Sequence, residues 1–342
     1  MKIEHGILSH DTIGRVFGLL DAQTVERSFR QWVSGILPAL EPGTVVAVDG
    51  KTSWRCGSDE HGRQHLVSAL ASGVDVVLGQ QAATEKPSEI TATPQLLQAL
   101  AIEGAIVTTD AAGTHAPISQ AIQDRSADYV LAVKDNQPLL ADSIRAFFAT
   151  GQATQWAHVD YDYYDTVEKD HGRIETRRYY AFGQLDSLSN PGQWPGLKMF
   201  RVVQAECTVK DRTSNEQRLY IGGISPQARK FAYALRSHLE VKNRLHWCLD
   251  VCLDDDQARA RLKNGAQKLA AIKRMVHNVL RLRTSGQKGD IKARRLVASS
   301  YLGFPLIDAN ALLSIMKNRS PSYGLRLPKR YSLVWPHFVS GF

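Results

Sequence analysis

VVAVDGKT, residues 45–52, is the stretch whose reading decides the fold. Its first four residues are apolar and mostly β-branched, the mark of a buried strand. The run ends on a carboxylate, Asp49, and the chain turns through Gly50. EPGT at 41–44 is a turn before it. Upstream, residues 9 to 40 read as short helices, with Ser9 or Asp11 as a cap and Ile13, Phe17 and Leu20 at helical spacing. Downstream, HLVSALAS and VDVVLGQQAA read as two further strands. ITATPQLLQALA then reads as a helix, AIVTTDAAG as a strand, HAPISQAIQDR as a helix and DYVLAVK as a strand. Three strands in meander order followed by alternating helix and strand predict a mixed sheet with helices on its faces.

From about residue 150 to 225 aromatic and β-branched residues gather in YDYYDTVEKDHGRIETRRYYAF, MFRVVQAECTVK and QRLYIGG. This segment reads as a β-rich insertion. Helices return at Ser225-Pro226, a cap followed by proline, and run to about Arg283 with a break near Asp254–Asp256. After about Met316 no period is legible.

A second carboxylate, Asp110 in AIVTTDAAG, also ends an apolar strand. An aspartate alone at a strand end is commonly the cap of the following turn. Two, at the ends of two strands of one sheet, make a candidate metal site, because open sheets bind ligands beyond their strand ends. Oxygen donors of this kind suit Mg²⁺ or Mn²⁺, and two such ions can assist in-line phosphoryl transfer.

At 342 residues the chain is long for one core, and two or three folding units are expected. No apolar run reaches the roughly 20 residues that span a bilayer, and the first residues carry no signal-peptide pattern; a cytoplasmic protein is the expectation. Four cysteines, Cys56, Cys207, Cys248 and Cys252, are too scattered for a disulfide framework. Cys248 and Cys252, one helical turn apart, read as two buried thiols or a zinc pair. The net charge is +8, and it is uneven: Gln257 to Tyr331 holds 17 Lys or Arg against two Asp. Such a basic C-terminal third points to contact with phosphate backbones. Arg259, Arg261 and Lys263 are candidate phosphate contacts there, positioning DNA without reading it.

Six stretches in this order, AVDGKT, EKPSEITATP, TTDAAG, AVKDNQ, DHGR and NRLHWCLDV, resemble the DDE transposases of bacterial insertion sequences. The similarity is closest to the H-repeat-associated (ISAs-type) branch and runs from HDTIGRV at 10–16 to about Leu302. It implies an RNase H-like α/β fold: a catalytic domain over 43–149 and 226–302, the β-rich insertion at 150–225, a helical N-terminal remnant at 1–42 and an unmatched tail at 303–342. It also implies Asp49 and Asp110 as metal ligands for a two-ion Mg²⁺ or Mn²⁺ site. The expected partner is DNA, the terminal inverted repeats of the element, with a homodimer joining two ends in the nucleoid. Lys134 and Arg173 become candidate phosphate contacts; His171 reads as a loop histidine making hydrogen bonds or a ligand.

The family's third acidic ligand is a glutamate on a late helix, in a pattern like H-W-x-x-E-N-x-L-H-W-x-L-D-V. Laid on RSHLEVKNRLHWCLDV without gaps, the pattern puts Lys242 in the glutamate position. Tyr233, Arg236 and Glu240 fit a looser Y-x2-R-x3-E spacing, which would make Glu240 the ligand. At about 100° per residue, positions 240 and 242 lie about 200° apart on a regular helix, so both cannot serve. The expectation is an impaired transposase, the alternative an inactive DNA-binding remnant or recruited regulator. A sheet-edge nuclease unrelated to transposition would use the same aspartates. His246 and Trp247 are expected to pack in the core.

Overall fold

The computed structural model describes residues 9–53, 55–56, 64–83, 89–170, 172–210, 212–260, 264–282 and 291–300. In chain order the first elements are α1 (His10–Leu19), α2 (Ala22–Ile36), β1 (Val45–Ser53), β2 (Gln64–Ala71), β3 (Val76–Ala83), α3 (Glu89–Gln98) and β4 (Ile106–Thr109). Next come α4 (Ala116–Gln123), β5 (Asp128–Val133), α5 (Pro138–Ala153), β6 (Tyr161–Asp170), β7 (Arg173–Phe182), β8 (Met199–Val209) and β9 (Arg212–Gly222). The last are α6 (Ala228–Val241), α7 (Gly265–Leu282) and α8 (Ile291–Ser300). Two compact units divide the chain: Leu40–Asp49 with Pro87–Val241, and residues 1–39, 50–86 and 242–342.

The unit that contains Asp49 is built on strands in the order β1-β4-β5-β9-β8-β7-β6. β1 and β4 run parallel, as do β4 and β5; every later pair is antiparallel. Helices cover both faces, which makes this a mixed sheet of the RNase H-like type. On one face Val45, Ile106, Val130, Tyr179 and Met199 pack against Phe231, Ala232 and Leu235 of α6. On the other, Phe147 and Phe148 of α5 meet Phe182, Phe200 and Tyr180, with ring centroids 5.0–5.2 Å apart for Phe147–Phe200, Phe147–Phe182 and Phe148–Tyr180. Neighbouring strand residues point to opposite faces, so the odd–even alternation of β7 sorts Tyr179 to α6 and Tyr180 to α5.

Helix α6 starts at Ala228, two residues after the proline that the sequence favoured as its first turn. Its cap is not local. Asp162 of β6 accepts the Ala228 N–H at 2.7 Å, and the buried Arg201 guanidinium donates to the Ser225 and Gln227 carbonyls at 2.8 and 2.7 Å. Ser225 is therefore held through its backbone, while a carboxylate from the sheet answers the positive end of the helix.

In the other unit α1 begins where Ser9 accepts from the Thr12 N–H, one of the two expected caps. β2 and β3 pair antiparallel with a bulge at Ala69/Leu70. α2, β3 and α7 share a polar interior: the Glu26 carboxylate accepts from Gln80 at 3.2 Å and Gln267 at 2.8 Å, and burial pushes its pKa up. Asn278 of α7 bonds both backbone groups of Val77, each at 2.8 Å. Arg274, fully buried, donates to Ser68 at 3.0 Å. Cys248 and Cys252 are buried free thiols.

Candidate active site

Asp49 and Asp110 are brought together by strand register. Val45, Val46, Ala47 and Val48 pair in parallel with Ile106, Val107, Thr108 and Thr109. The next residues along the two chains are Asp49 and Asp110, neighbours across strands about 4.8 Å apart. Alternation then fixes their face. Val45, Ala47 and Asp49 point one way, and Ile106, Thr108 and Asp110 point the same way. Val45 and Ile106 pack against α6, so both aspartates emerge on the α6 face at the C-terminal end of the parallel pair. Asp49 is half-buried and Asp110 exposed.

The turn after Asp110 explains two sequence motifs. Asp110 accepts the Gly113 N–H at 3.3 Å, and a Cβ on Gly113 would lie 2.8 Å from the Thr109 Cβ, so TTDAAG closes tightly only with glycine there. AVKDNQ supports that turn: Asn136 donates to the Ala111 carbonyl at 2.8 Å and Gln137 to the Thr114 carbonyl at 3.0 Å. Sequence reasoning gave a role in this motif to Lys134 alone. The two amides that hold the Asp110 loop were missed, although their residue types suit loop bracing.

Helix α6 sets what can face the aspartates. His238 Nδ1 and Thr108 Oγ1 are 3.0 Å apart, and Thr108 shares its strand face with Asp110. Glu240 is two residues on, about 200° around a helix that stays regular through Val241. It lies instead in line with Tyr233 and Arg236, at the i, i+3, i+7 spacing of one helix stripe. On that stripe Tyr233 is 55% exposed, the half-exposed Arg236 pairs with Glu168 of β6, and Glu240 itself is half-buried. The irregularity that could have turned Glu240 comes too late, because π-helical turns occupy Lys242–His246 and Cys248–Cys252. Such turns widen the helix by one residue per turn and are frequent at functional sites.

Two neighbouring carboxylates are the ligand chemistry of Mg²⁺ or Mn²⁺, which a substrate phosphate can complete. Among the described residues no group of three or more His, Cys, Asp or Glu side chains is gathered as a metal site. The pair fits part of a two-ion centre.

In the unit that contains Gly50, Lys51 is half-buried among carboxylates, a cluster the sequence reading did not find. Its Nζ lies 2.7 Å from Asp250, 2.5 Å from Asp256 and 3.7 Å from Asp255, and Lys273 lies 3.3 Å from Asp255. Lys51 and Asp250 sit inside AVDGKT and NRLHWCLDV, and the run Asp254–Asp256 was the available signal. Burial lowers the affinity of Lys51 for its proton, but the aspartates outweigh it and the pKa is raised. His246, mostly buried, is pushed down to about 4 by burial and then by the charges of Arg274, Lys51 and Lys242. Trp247 departs from expectation: it is 50% exposed rather than packed in the core. Lys242 is exposed.

The basic residues named for DNA fall as follows. Lys134 and Arg259 are exposed. Arg173 is 53% exposed on its side chain, with Glu175 at 3.7 Å. His171, Arg261 and Lys263 lie outside the described residues. No helix among the described residues is long and apolar enough to cross a membrane.

A parallel strand pair thus brings two aspartates to the sheet face that the late helix α6 covers. Residues 13–279 match the family described as "Transposase DDE domain". "Putative transposase YncI" of Escherichia coli O157:H7 is 34% identical over 300 residues, covering 85% of this chain and 75% of that protein. "H repeat-associated putative transposase YhhI" of E. coli K12 is 35% identical over 286 residues, covering 81% and 74%. The chain belongs to the DDE transposase family, with H-repeat-associated proteins among its relatives.

Proposed function

We propose that this chain binds the terminal inverted repeats of its own element as a transposase whose strand-cleavage chemistry is impaired at the third acidic position. The observation that carries the reading is the register of β1 and β4, which sets Asp49 beside Asp110 on the α6 face. The two carboxylates would hold Mg²⁺ or Mn²⁺ and, with it, a scissile phosphate. A divalent ion at such a site supplies charge stabilisation and an activated oxygen for in-line transfer. Asp49, half-buried on its strand, provides the fixed ligand, and Asp110, braced through Asn136 and Gln137, the second. Basic residues of the C-terminal third, Arg259, Arg261 and Lys263 among them, would grip the backbone, with Lys134 and Arg173 as further phosphate contacts. The domain division follows the same reading: 43–149 and 226–302 catalytic, 150–225 inserted, 1–42 a helical N-terminal region.

The third position decides activity. The family pattern aligns Lys242 with the glutamate, and an ammonium there repels divalent cations. Glu240 does not replace it, because on a regular α6 it shares the stripe of Tyr233 and Arg236, about 200° from His238, rather than the His238 face. The same geometry favours the second reading, a DNA-binding shell that keeps the fold without the chemistry.

The test is Mg²⁺- or Mn²⁺-dependent cleavage of a plasmid carrying the element ends, with wild type, Lys242→Glu and Glu240→Ala compared. Cleavage gained by Lys242→Glu, with Glu240→Ala no different from wild type, is the expected result. Cleavage by wild type that Glu240→Ala abolishes would overturn the assignment of the third position. DNA binding by all three proteins without any cleavage would leave the shell as the function.

A further inference from the structure

We propose that β6 is a dimerisation edge, on which two copies of this chain join their sheets by antiparallel pairing of β6 with β6 about a two-fold axis at Val167. β6 is the last strand in the order, bonded to β7 and to no other strand among the described residues. It is ten residues long and carries no proline or glycine. A long edge strand is a template for another strand unless something blunts it. Charges are the usual blunting device, and β6 holds five, at Asp162, Asp165, Glu168, Lys169 and Asp170.

Their arrangement favours one self-pairing, the one axis along β6 that sets opposite charges against each other. Residues opposite each other across a continued antiparallel sheet lie on the same face, so the axis must pass through a residue paired with itself. An axis at Asp165 would set two aspartates against each other, and one at Glu168 two glutamates. An axis at Thr166 would oppose Asp162 and Asp170. An axis at Val167 opposes Asp165 and Lys169, twice by symmetry, and pairs residues 164–170. It also buries Val167, which at 60% is the most exposed large hydrophobic residue of any described strand. Asp165, Val167 and Lys169 all lie exposed on the same face, since they alternate along the strand. Helix α6 covers the opposite face, where it engages Asp162 and Glu168, and leaves the edge open to a partner strand.

The second copy is the partner that holding two DNA ends together calls for, so the proposal rests on the transposase reading for its purpose. Its test uses no DNA, which keeps the failure of one separate from the failure of the other. The full chain is run in sedimentation velocity over a concentration series, as wild type, Asp165→Lys, Lys169→Asp, the double exchange Asp165→Lys with Lys169→Asp, and Val167→Lys. Circular dichroism checks that each variant is folded. Strand pairing of this length is a small interface, so wild type should dimerise with a dissociation constant on the order of micromolar. Each single reversal replaces two attractive pairs with two repulsive ones and should weaken the dimer roughly 10- to 50-fold. Val167→Lys, with two ammonium groups at the axis, should abolish it. The double exchange restores opposite charges in reversed order and should return the dimer to within a few-fold of wild type. A wild-type chain that stays monomeric at 100-fold higher concentration overturns the proposal. So does a dimer indifferent to the single reversals, or one that the double exchange fails to restore.

Discussion

Replacing Lys51 by methionine should destabilise the unit that holds it by about 2–3 kcal/mol at neutral pH. Lys51 is 10% exposed and meets three aspartates, whose side chains are 30% (Asp250), 4% (Asp255) and 43% (Asp256) exposed. Removing one partner of a fully buried pair costs roughly 3–5 kcal/mol, because the other charge is left without compensation. Here that figure needs discounting twice. Asp255, the buried member, keeps Lys273 at 3.3 Å, and Asp250 and Asp256 reach water, where an ion pair contributes about 0–1 kcal/mol. Methionine keeps most of the stem's packing, so the loss isolates the ammonium. Urea denaturation of wild type and Lys51→Met, fitted for midpoint and slope, measures it. The companion background is Asp250→Asn with Asp256→Asn, in which the same Lys51→Met change should cost less than about 1 kcal/mol, the difference being the coupling energy. A cost below about 0.5 kcal/mol in the wild type, or one undiminished in the asparagine background, would refute the reasoning.

Acid should destabilise the same unit through its buried histidines. His277, fully buried, is pushed down to about 4 by burial and then by Arg281, and His246 to about 4 as described. Folded values below the unfolded 6.5 mean that the unfolded chain binds more protons between pH 4 and 6.5, so stability is full above pH 6.5 and is lost as pH falls toward 4. At pH 5 the loss is roughly 2 kcal/mol per histidine, and His277→Gln should remove about half of the slope in denaturation midpoints between pH 5 and 7; a flat wild-type profile would contradict both values. Asn278→Ala strands the buried N–H and C=O of Val77 and should cost about 2–4 kcal/mol by chemical denaturation. Asp162→Ala removes the cap of α6 and should cost about 1–2 kcal/mol, with exchange of the first α6 amides accelerated roughly 5- to 30-fold in hydrogen-exchange measurements.

What the sequence made legible was local. VVAVDGKT and AIVTTDAAG each announce a buried strand ending in a carboxylate, and parallel pairing of two such strands needs only the alternation of helix and strand between them. What stayed hidden was set by distance along the chain. Lys51 meets Asp256 across 205 residues, and the acidic run Asp254–Asp256 marks one end of that contact without pointing to the lysine at the other. The cap of α6 comes from Asp162, 66 residues upstream, so Ser225-Pro226 looked like a sufficient start and was not. Trp247 was expected in the core because apolar residues at helical spacing usually are. The π-helical turns on either side of it change that spacing from 3.6 residues per turn, and no local composition signals them.

The third acidic position shows why one kind of inference needed the other. Alignment of the late helix offers Lys242, a looser spacing offers Glu240, and the two patterns overlap within residues 233–251, so spacing alone does not choose between them. The choice is rotational. A strand fixes the direction of its carboxylate by alternation alone, so Asp49 and Asp110 can be paired from register. A helix fixes direction only relative to a contact, and Thr108 with His238 is that contact. Once His238 is known to face β4, a regular α6 turns Glu240 toward Tyr233 and Arg236, and a bulge beginning at Lys242 cannot act backwards on it. A π turn moved two residues earlier would have reopened the question. Glu240→Gln should therefore leave metal-dependent behaviour of the protein unchanged while Asp49→Asn and Asp110→Asn do not. Isothermal titration with Mn²⁺ decides it: a loss of binding in Glu240→Gln equal to that in Asp110→Asn would mean that α6 rotates in solution.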